Sequence, residues 1–355
     1  MIFSNKLIYW YLKNKRDMPW RNTTNPYYIW LSEIILQQTR VAQGTSYYLK
    51  FIEHFSTIQD LANADEQLVL KLWQGLGYYS RARNLHFTAQ HIVNDLDGKF
   101  PNTYKELVKL KGVGDYTASA IASICFNEPT AVVDGNVYRL LSRYYGIKTP
   151  INSSQGIKEF KELAQRLIDQ NNPATHNQAI MEFGARMCRP QNPDCETCPF
   201  NDSCVALELK KIKELPVKDK KSKIRKRFFN YIVLLTDDGK TILNQRTEKG
   251  IWRNLYEFPL IESDSIIDEE ELVKNDFFQE IIEDKKMNLK LFNPKTIVHK
   301  LSHQHIYTQF WVLKIPSSNK ANILYEDIST FPMPILIYNF VEDLQRTEIF
   351  STFDR

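Results

Sequence analysis

Two carboxyl side chains and a pair of closely spaced glycines are the first residues in this chain whose types and spacing invite chemistry. Residues 107–141 read LVKLKGVGDYTASAIASICFNEPTAVVDGNVYRLL. Gly112 and Gly114 flank one apolar residue and precede a helix of small residues from about 116 to 125. Glycine lets a backbone turn tightly and approach a ligand closely. The N-terminus of the following helix offers free N–H groups and a positive dipole end, which is a seat for a phosphate. The same glycine pair, taken alone, also serves as a plain turn between packed helices. Beyond that helix, Val132-Val133-Asp134-Gly135-Asn136 sets a carboxylate just ahead of a helix that carries Arg139 and Arg143. The second carboxyl, Glu33, stands among Trp30, Ile34 and Leu36. Such neighbours raise a carboxyl pKa when they bury it, although the plain reading of Glu33 alone is a surface glutamate. A phosphate seat and a carboxylate on one short unit point to chemistry beside a nucleic-acid backbone.

Cys188, Cys195, Cys198 and Cys204 occur with six, two and five residues between them. Four thiols within a loop's reach form a metal site, and zinc satisfies the ligand count as well as a cluster does. The fifth cysteine, Cys125, reads as a buried thiol without a role. Gln37-Gln38-Thr39 follow an apolar run, where amide and hydroxyl groups are costly unless they meet partners. Tyr78 and Tyr79 stand just before Arg81 and Arg83, a combination suited to stacking on bases and pairing with phosphate. The competing reading is a helix corner with tyrosines capping the core.

The elements that must hold these groups are mostly helical up to about residue 209. Apolar spacing predicts helices over 3–13, from about 29 through the Gln37–Thr39 stretch into 55, over 66–96 as two pieces around 73–79, and over 157–187 with a break at 171–173. Pro19 ends the first of these. Residues 210–227 are lysine-rich and read as a linker that can also touch phosphates. Strand signals follow: 229–236 and 241–246 around Asp237-Asp238-Gly239 as a hairpin, then 252–260, 295–301 and 306–315, with helices over 269–284 and 335–347. His299, His303 and His305 read as separate surface or ligand-contact groups. The whole chain of 355 residues is mildly basic, with a formal net charge of +4, 43% hydrophobic and 25% charged residues. This permits an anionic partner. No apolar run approaches the roughly 20 residues of a membrane span, and no signal peptide is apparent. With four of five cysteines crowded together, a reducing cytoplasmic setting fits better than a disulfide framework.

In combination, LKGVGDYTASAI, VDGNVYRLL, LSEIILQQTR, GLGYYSRARN and the four-cysteine loop resemble the MutY-type adenine DNA glycosylases. These are base-excision repair enzymes of the helix–hairpin–helix/Gly-Pro-Asp superfamily. The resemblance implies a multidomain fold: an all-α helix–hairpin–helix glycosylase part with an iron–sulfur loop, then an α+β Nudix-like domain. It places the glycosylase part at 1–209, with a helical barrel at about 23–134 and an iron–sulfur module from 1–22 plus 135–209. The linker is then 210–227 and the lesion-recognition domain 228–355. The spacing of the cysteines is that of the family's [4Fe–4S] loop, so the resemblance, rather than ligand chemistry, selects one such cluster on Cys188, Cys195, Cys198 and Cys204. The expected partner is double-stranded DNA with adenine opposite 8-oxoguanine or guanine, bound by a monomer, cytoplasmic at the nucleoid, with no membrane association. Adenine is expected to flip out of the duplex into a pocket.

Residue by residue, Glu33 matches the acid that protonates adenine at N7, and Asp134 the carboxylate that stabilises or transiently bonds the sugar carbon, with Asn136 holding it. Tyr116 stands where bifunctional relatives carry a lysine nucleophile, which implies hydrolysis without an efficient lyase step. Trp20, Arg21, Leu36 and Glu182 match positions lining the adenine pocket. Gln38, Thr39, Leu76 and Tyr78 match those beside the opposite base, and Gly112 and Gly114 the phosphate seat. Leu301-Ser302-His303 matches a Phe-Ser-His loop that reads 8-oxoguanine, and the leucine is a departure that loses an aromatic face. The region DFFQEIIEDKKMNLK lacks the arginine and ordered glutamate pairs of a magnesium-holding Nudix box, so the last domain is expected to recognise rather than hydrolyse. Two other readings remain at this stage. One is endonuclease III-like lyase chemistry on damaged pyrimidines, and the other a non-catalytic DNA-binding protein.

Overall fold

The computed structural model describes residues 2–219, 224–282 and 288–346. Helices fill the chain up to residue 208: α1 (Ile2–Asn14), α2 (Pro26–Leu36), α3 (Val41–His54), α4 (Ile58–Asn63), α5 (Glu66–Trp73), α6 (Ser80–Asp95), α7 (Tyr104–Leu107), α8 (Asp115–Phe126), α9 (Gly135–Tyr145), α10 (Ser154–Leu167), α11 (Pro173–Arg186) and α12 (Val205–Glu208). None of the described helices is long and apolar enough to cross a membrane. Backbone packing separates two units, Met1–Ala64 with Arg83–Lys220, and Asp65–Ala82 with Lys221–Arg355.

In the helical unit, α1 buries Phe3, Leu7, Trp10 and Tyr11, one face at helical spacing. That face joins a core with Val137, Leu140 and Leu141 of α9, Phe160 of α10 and Phe183 of α11. Trp10 meets Phe183 edge-on at 4.8 Å and Phe3 stacks on Phe200 at 5.0 Å, so the first helix is tied to elements more than a hundred residues on. Helix α8 packs against both α2 and α11. Its small residues, Ala118, Ser119, Ala120 and Ala122, are buried and let these neighbours approach closely.

The helix expected to run from about residue 29 through Gln37–Thr39 ends at Leu36 and restarts at Val41. Gln38 takes a left-handed conformation (φ 57) and the Thr39 N–H donates to the Leu36 carbonyl at 3.2 Å, closing a turn. The polar triplet therefore lies at a helix–helix corner, where amide groups reach water or a ligand, and not in a helix interior.

The second unit holds a mixed sheet of β1 (Arg225–Thr236), β5 (Leu260–Ser263), β6 (Asn288–Leu291), β7 (Ile297–Lys300) and β8 (Gln304–Ile315). The order is β5-β1-β8-β6, with β7 also pairing β8. β1 and β8 run parallel over their whole length and the other pairs are antiparallel. α15 (Ile335–Gln345) covers one face, with Phe340 stacked on Phe310 at 3.9 Å. A turn does follow β1 at Asp237–Gly239, but the next segments are the short strands β2 (Lys240–Thr241) and β3 (Asn244–Gln245), which pair with β9 (Ile323–Leu324) and β4 (Tyr256–Glu257) instead of forming a hairpin with β1. Of the strand expected over 252–260, the structure keeps β4 and, at Leu260, the first residue of β5. The helix expected over 269–284 is two, α13 (Glu269–Val273) and α14 (Asp276–Ile281); each is capped by an Asx side chain, Asp268 and Asn275. Residues 283, 284 and 347 of the expected helices lie outside the described residues.

Packing departs from the expected domain boundaries in two places. Residues 65–82 pack with the sheet unit: Gln67 Nε2 donates to the Tyr256 hydroxyl at 3.1 Å, Lys71 Nζ to the Phe331 carbonyl at 3.2 Å, and the Met333 N–H to Gln74 Oε1 at 3.1 Å. The expected linker is largely structured. The Ile151 N–H donates to the Val217 carbonyl at 3.0 Å, Leu215 is buried, and 225–227 already belong to β1. Residues 220–223 of it lie outside the described residues.

Candidate active site

Glu33 rides on α2, whose first turn is set by Asn25 at the N-cap and Pro26 at the first position. Ile29, Trp30, Leu31, Ile34 and Ile35 are buried around it, so the carboxyl is carried inside with 9% exposure. Burial raises its pKa from 4.5 to about 7. The Asp134 charge pushes the same way, while a hydrogen bond from Tyr116 and the Arg21 charge oppose. The carboxyl is thus poised to hold a proton near neutrality.

Asp134 is the N-cap of α9. Its Oδ1 accepts from the N–H groups of Asn136 (2.9 Å) and Val137 (2.8 Å), and its Oδ2 from Asn136 Nδ2 (2.8 Å). Burial raises its pKa against these bonds and the charge of Arg139. Tyr116, in the first turn of α8, feels both carboxylates. Burial and their charges push its phenol well above 10, so it stays neutral, and its hydroxyl oxygen lies 3.0 Å from Met181 Sδ. Glu33, Tyr116 and Asp134, far apart in sequence, are one electrostatic group in the fold.

Beside them lies a carboxylate of opposite behaviour. Glu182 on α11 is 1% exposed. Burial opposes its ionisation, but Arg16 and Arg21 outweigh that and hold its pKa down to about 2. Arg16 binds it through Nε and Nη2, both at 2.7 Å, and Arg21 through Nη2 at 2.8 Å. Arg16 was not legible in the sequence, where it sits within a run of exposed-looking charges just after α1. Trp20 is buried edge-on against Tyr48 at 5.2 Å, and Leu36 ends α2 against α3, where a Cβ on Gly44 would come within 2.7 Å of it.

Arg139 is a second residue whose part sequence did not reveal. Its buried guanidinium donates to Asn136 Oδ1 (2.8 Å) and to the carbonyls of Gly184 (2.6 Å) and Cys188 (2.7 Å). It therefore links the Asp134 holder to the first residue of the cysteine loop. Gly184 permits this closeness, since a Cβ there would fall 2.7 Å from the Asn136 carbonyl oxygen.

Cys188, Cys195, Cys198 and Cys204 line one cavity with Phe183, Met187 and Phe200. Arg143, 2% exposed, lies against it. Its Nη1 is 3.5 Å from Cys188 Sγ and also donates to the Arg189 carbonyl, while Nη2 and Nε hold the carbonyls of Pro190 and Leu215. Burial raises the thiols of Cys195, Cys198 (to about 11) and Cys204, so metal binding there releases protons. Four soft donors around one cavity, with a buried cation to offset thiolate charge, fit a group that spreads its thiols over several metal atoms.

At the hairpin, Gly112 has φ +81 and a Cβ on it would meet Asn84 at 2.7 Å, while one on Gly114 would meet open space. At the corner after α2, Gln38 is exposed. Gln37 Nε2 donates to Thr117 Oγ1 at 3.3 Å, and the Thr39 hydroxyl lies 3.4 Å from the Gln37 carbonyl. In the sheet unit Tyr78 is 45% exposed with φ 47, and its hydroxyl bonds to that of Ser302. Ser302 and His303 form the exposed tip between β7 and β8, closed by the Leu301 N–H donating to the Gln304 carbonyl at 2.9 Å. Leu76, expected to stand beside the opposite base, is 8% exposed, so Tyr78 alone of that pair projects. His299 is apart from the tip, half-buried on the Trp252 ring at 5.8 Å, its pKa lowered by burial.

Comparison with known proteins gives this geometry a lineage. Residues 31–170 match the model of the HhH-GPD superfamily of base excision DNA repair proteins, and residues 230–343 that of the NUDIX domain. An adenine DNA glycosylase of Buchnera aphidicola subsp. Baizongia pistaciae is 34% identical over 335 residues, which cover 92% of this chain and 91% of that protein. The chain belongs to the adenine DNA glycosylase family. Another family member, the human adenine DNA glycosylase, is 44% identical over 213 residues, covering 58% of this chain and 39% of its own. The structure of a thermostable thymine-DNA glycosylase aligns with a TM-score of 0.55 at 30% identity, covering 59% of this adenine glycosylase family member and 96% of that chain. An endonuclease III–DNA complex aligns at 0.51 with 22% identity, a likeness of fold alone.

Proposed function

We propose that this enzyme hydrolyses the N-glycosidic bond of adenine mispaired with 8-oxoguanine or guanine in duplex DNA. The observation that carries the reading is the buried trio of Glu33, Tyr116 and Asp134, in which one carboxyl is held near pKa 7 and the other is fixed by three N–H donors. Breaking the bond requires a proton on the departing base and stabilisation of an oxocarbenium-like sugar, the two-carboxylate logic of glycoside hydrolysis. Glu33, protonated, donates to N7 of a flipped-out adenine. Asp134, ionised, faces the sugar carbon, and Asn136 with the α9 N-terminus keeps its oxygens in place. Water then adds to the sugar, with Glu33, now a carboxylate, able to accept its proton. Arg21 and Glu182 form a fixed polar wall for the base, completed by Trp20 and Leu36. Tyr116 has no amine to form a Schiff base, so the product is an intact strand with an abasic site.

Gly112 and Gly114 seat a backbone phosphate at the N-terminus of α8. Gln38 and Thr39 in the helical unit, and Tyr78, Ser302 and His303 in the sheet unit, address the base opposite adenine. Cys188, Cys195, Cys198 and Cys204 would hold one [4Fe–4S] cluster, which would cross-link their loop; the excision itself needs no redox step. The test is strand cleavage on duplexes with adenine opposite 8-oxoguanine, guanine or thymine, with and without alkali. Alkali-dependent breaks opposite 8-oxoguanine and guanine are expected. Breaks without alkali as fast as base release favour a lyase instead.

A further inference from the structure

Asp115 opens α8 one residue after Gly114, at the helix end that faces a phosphate in the reading above. A carboxylate in a helix first turn is favourable for the helix, yet here it adds negative charge where DNA phosphate would rest. The fold does not leave that charge unopposed. Lys161 Nζ, from α10, and the Tyr104 hydroxyl, from α7, both bond Asp115 Oδ1. Lys161 Nζ also donates to the Tyr104 oxygen at 3.1 Å, and it stands 5.2 Å from the Tyr104 ring centroid. Side chains from two other helices thus converge on one carboxylate oxygen of α8, and they do so beside Gly114, where a Cβ would meet nothing within 4 Å.

We propose that Lys161 is a positioning residue for DNA binding: with Tyr104 it draws the Asp115 carboxylate aside and cancels its charge, leaving the α8 N-terminus free to accept a backbone phosphate. The proposal rests on the phosphate-seat reading of Gly112–Gly114. A bare lysine at a DNA surface would simply contact phosphate and lower affinity when lost. A lysine that acts through a carboxylate has a different signature, because removing the carboxylate repairs its loss.

The experiment measures equilibrium affinity of the full chain for an undamaged duplex at low salt, on which no excision competes, with thermal melting to confirm folding. Lys161→Met is expected to weaken binding about fivefold, the scale of one exposed charge interaction. Asp115→Asn in the Lys161→Met background is expected to restore affinity to near the wild-type value. Equal weakness in the single and double variants makes Lys161 a direct phosphate contact and overturns the proposal, as does an unchanged Lys161→Met protein. Gly114→Glu separates the underlying reading. The backbone there is extended (φ −87) and tolerates a side chain, so weakened binding supports the seat and unchanged binding removes seat and proposal together. Weakened Gly114→Glu with normal Lys161→Met removes the Lys161 role alone.

Discussion

Glu33 and Glu182 are chemically identical groups that the fold drives in opposite directions, to about 7 and about 2. Burial opposes ionisation of both; only Glu182 has two guanidiniums against it. Excision that uses Glu33 as acid must therefore slow as pH rises through about 7, and the ionised Asp134 it also needs is lost toward acid pH, giving a bell. Glu33→Gln and Asp134→Asn should each keep mismatch binding and lose single-turnover excision by at least roughly a hundredfold. A normal rate for Asp134→Asn would overturn its role. Stability offers an independent check. A carboxyl whose folded pKa lies above its unfolded value favours the fold below about 4.5, and that advantage is lost as pH rises through about 7. Glu33→Gln, neutral throughout, should then melt higher than the parent at pH 8, by up to about 3 kcal/mol, and by much less at pH 5. Equal melting differences at both pH values would place Glu33 outside a desolvating site.

At the scale of elements, α9 and α11 cross so tightly at Gly184 and Asn136 that the site and the cysteine loop share a wall. Gly184→Ala should overpack this crossing, costing about 1–3 kcal/mol in melting experiments. Because Asn136 holds Asp134, the excision rate should fall with it. Undiminished excision by a destabilised variant would uncouple the crossing from catalysis. The loop itself should carry about four irons per chain and a yellow-brown colour. Cys198→Ser should lose the colour and lower the melting temperature, since its cavity borders Phe183 and Phe200 of the main core. Stoichiometric zinc in colourless, anaerobically prepared protein would count against the cluster.

At the scale of the whole molecule, the proposed reading of the opposite base can be probed within the sheet unit by itself. Ser302 and Tyr78 share a hydrogen bond within the sheet unit, so either hydroxyl can exchange its partner for a lesion edge. Ser302→Ala should reduce the preference for 8-oxoguanine over guanine by about two- to tenfold, the worth of one hydrogen bond, while adenine excision opposite guanine stays near the parental rate. Competition assays with both duplexes read this directly, and an unchanged preference would exclude the tip as lesion reader. Substitution is the cleaner probe than deleting the sheet unit, because residues 65–82 depend on it for packing.

What the sequence determined by itself was chemistry that is local in the chain. Gly112 with Gly114, Asp134 with Asn136 and the four cysteines announce themselves through spacing, because a turn, a cap or a chelating loop is built from neighbours. Periodicity and strand signals also placed α1 and the long strands β1 and β8, and the glycine pair and Asp134 marked where α8 and α9 begin. Tertiary structure alone decided what depends on distant partners. It turned the Gln37–Thr39 triplet into a corner, moved 65–82 into the sheet unit and sent β2 and β3 to partners other than β1. It gave Arg16 to Glu182 and Arg139 to Asn136, charges that look solvated in the sequence. It also set Glu33 apart from an ordinary surface glutamate, since a pKa follows from what surrounds a carboxyl in space, and Tyr116, Asp134 and Arg21 reach it from elsewhere in the chain.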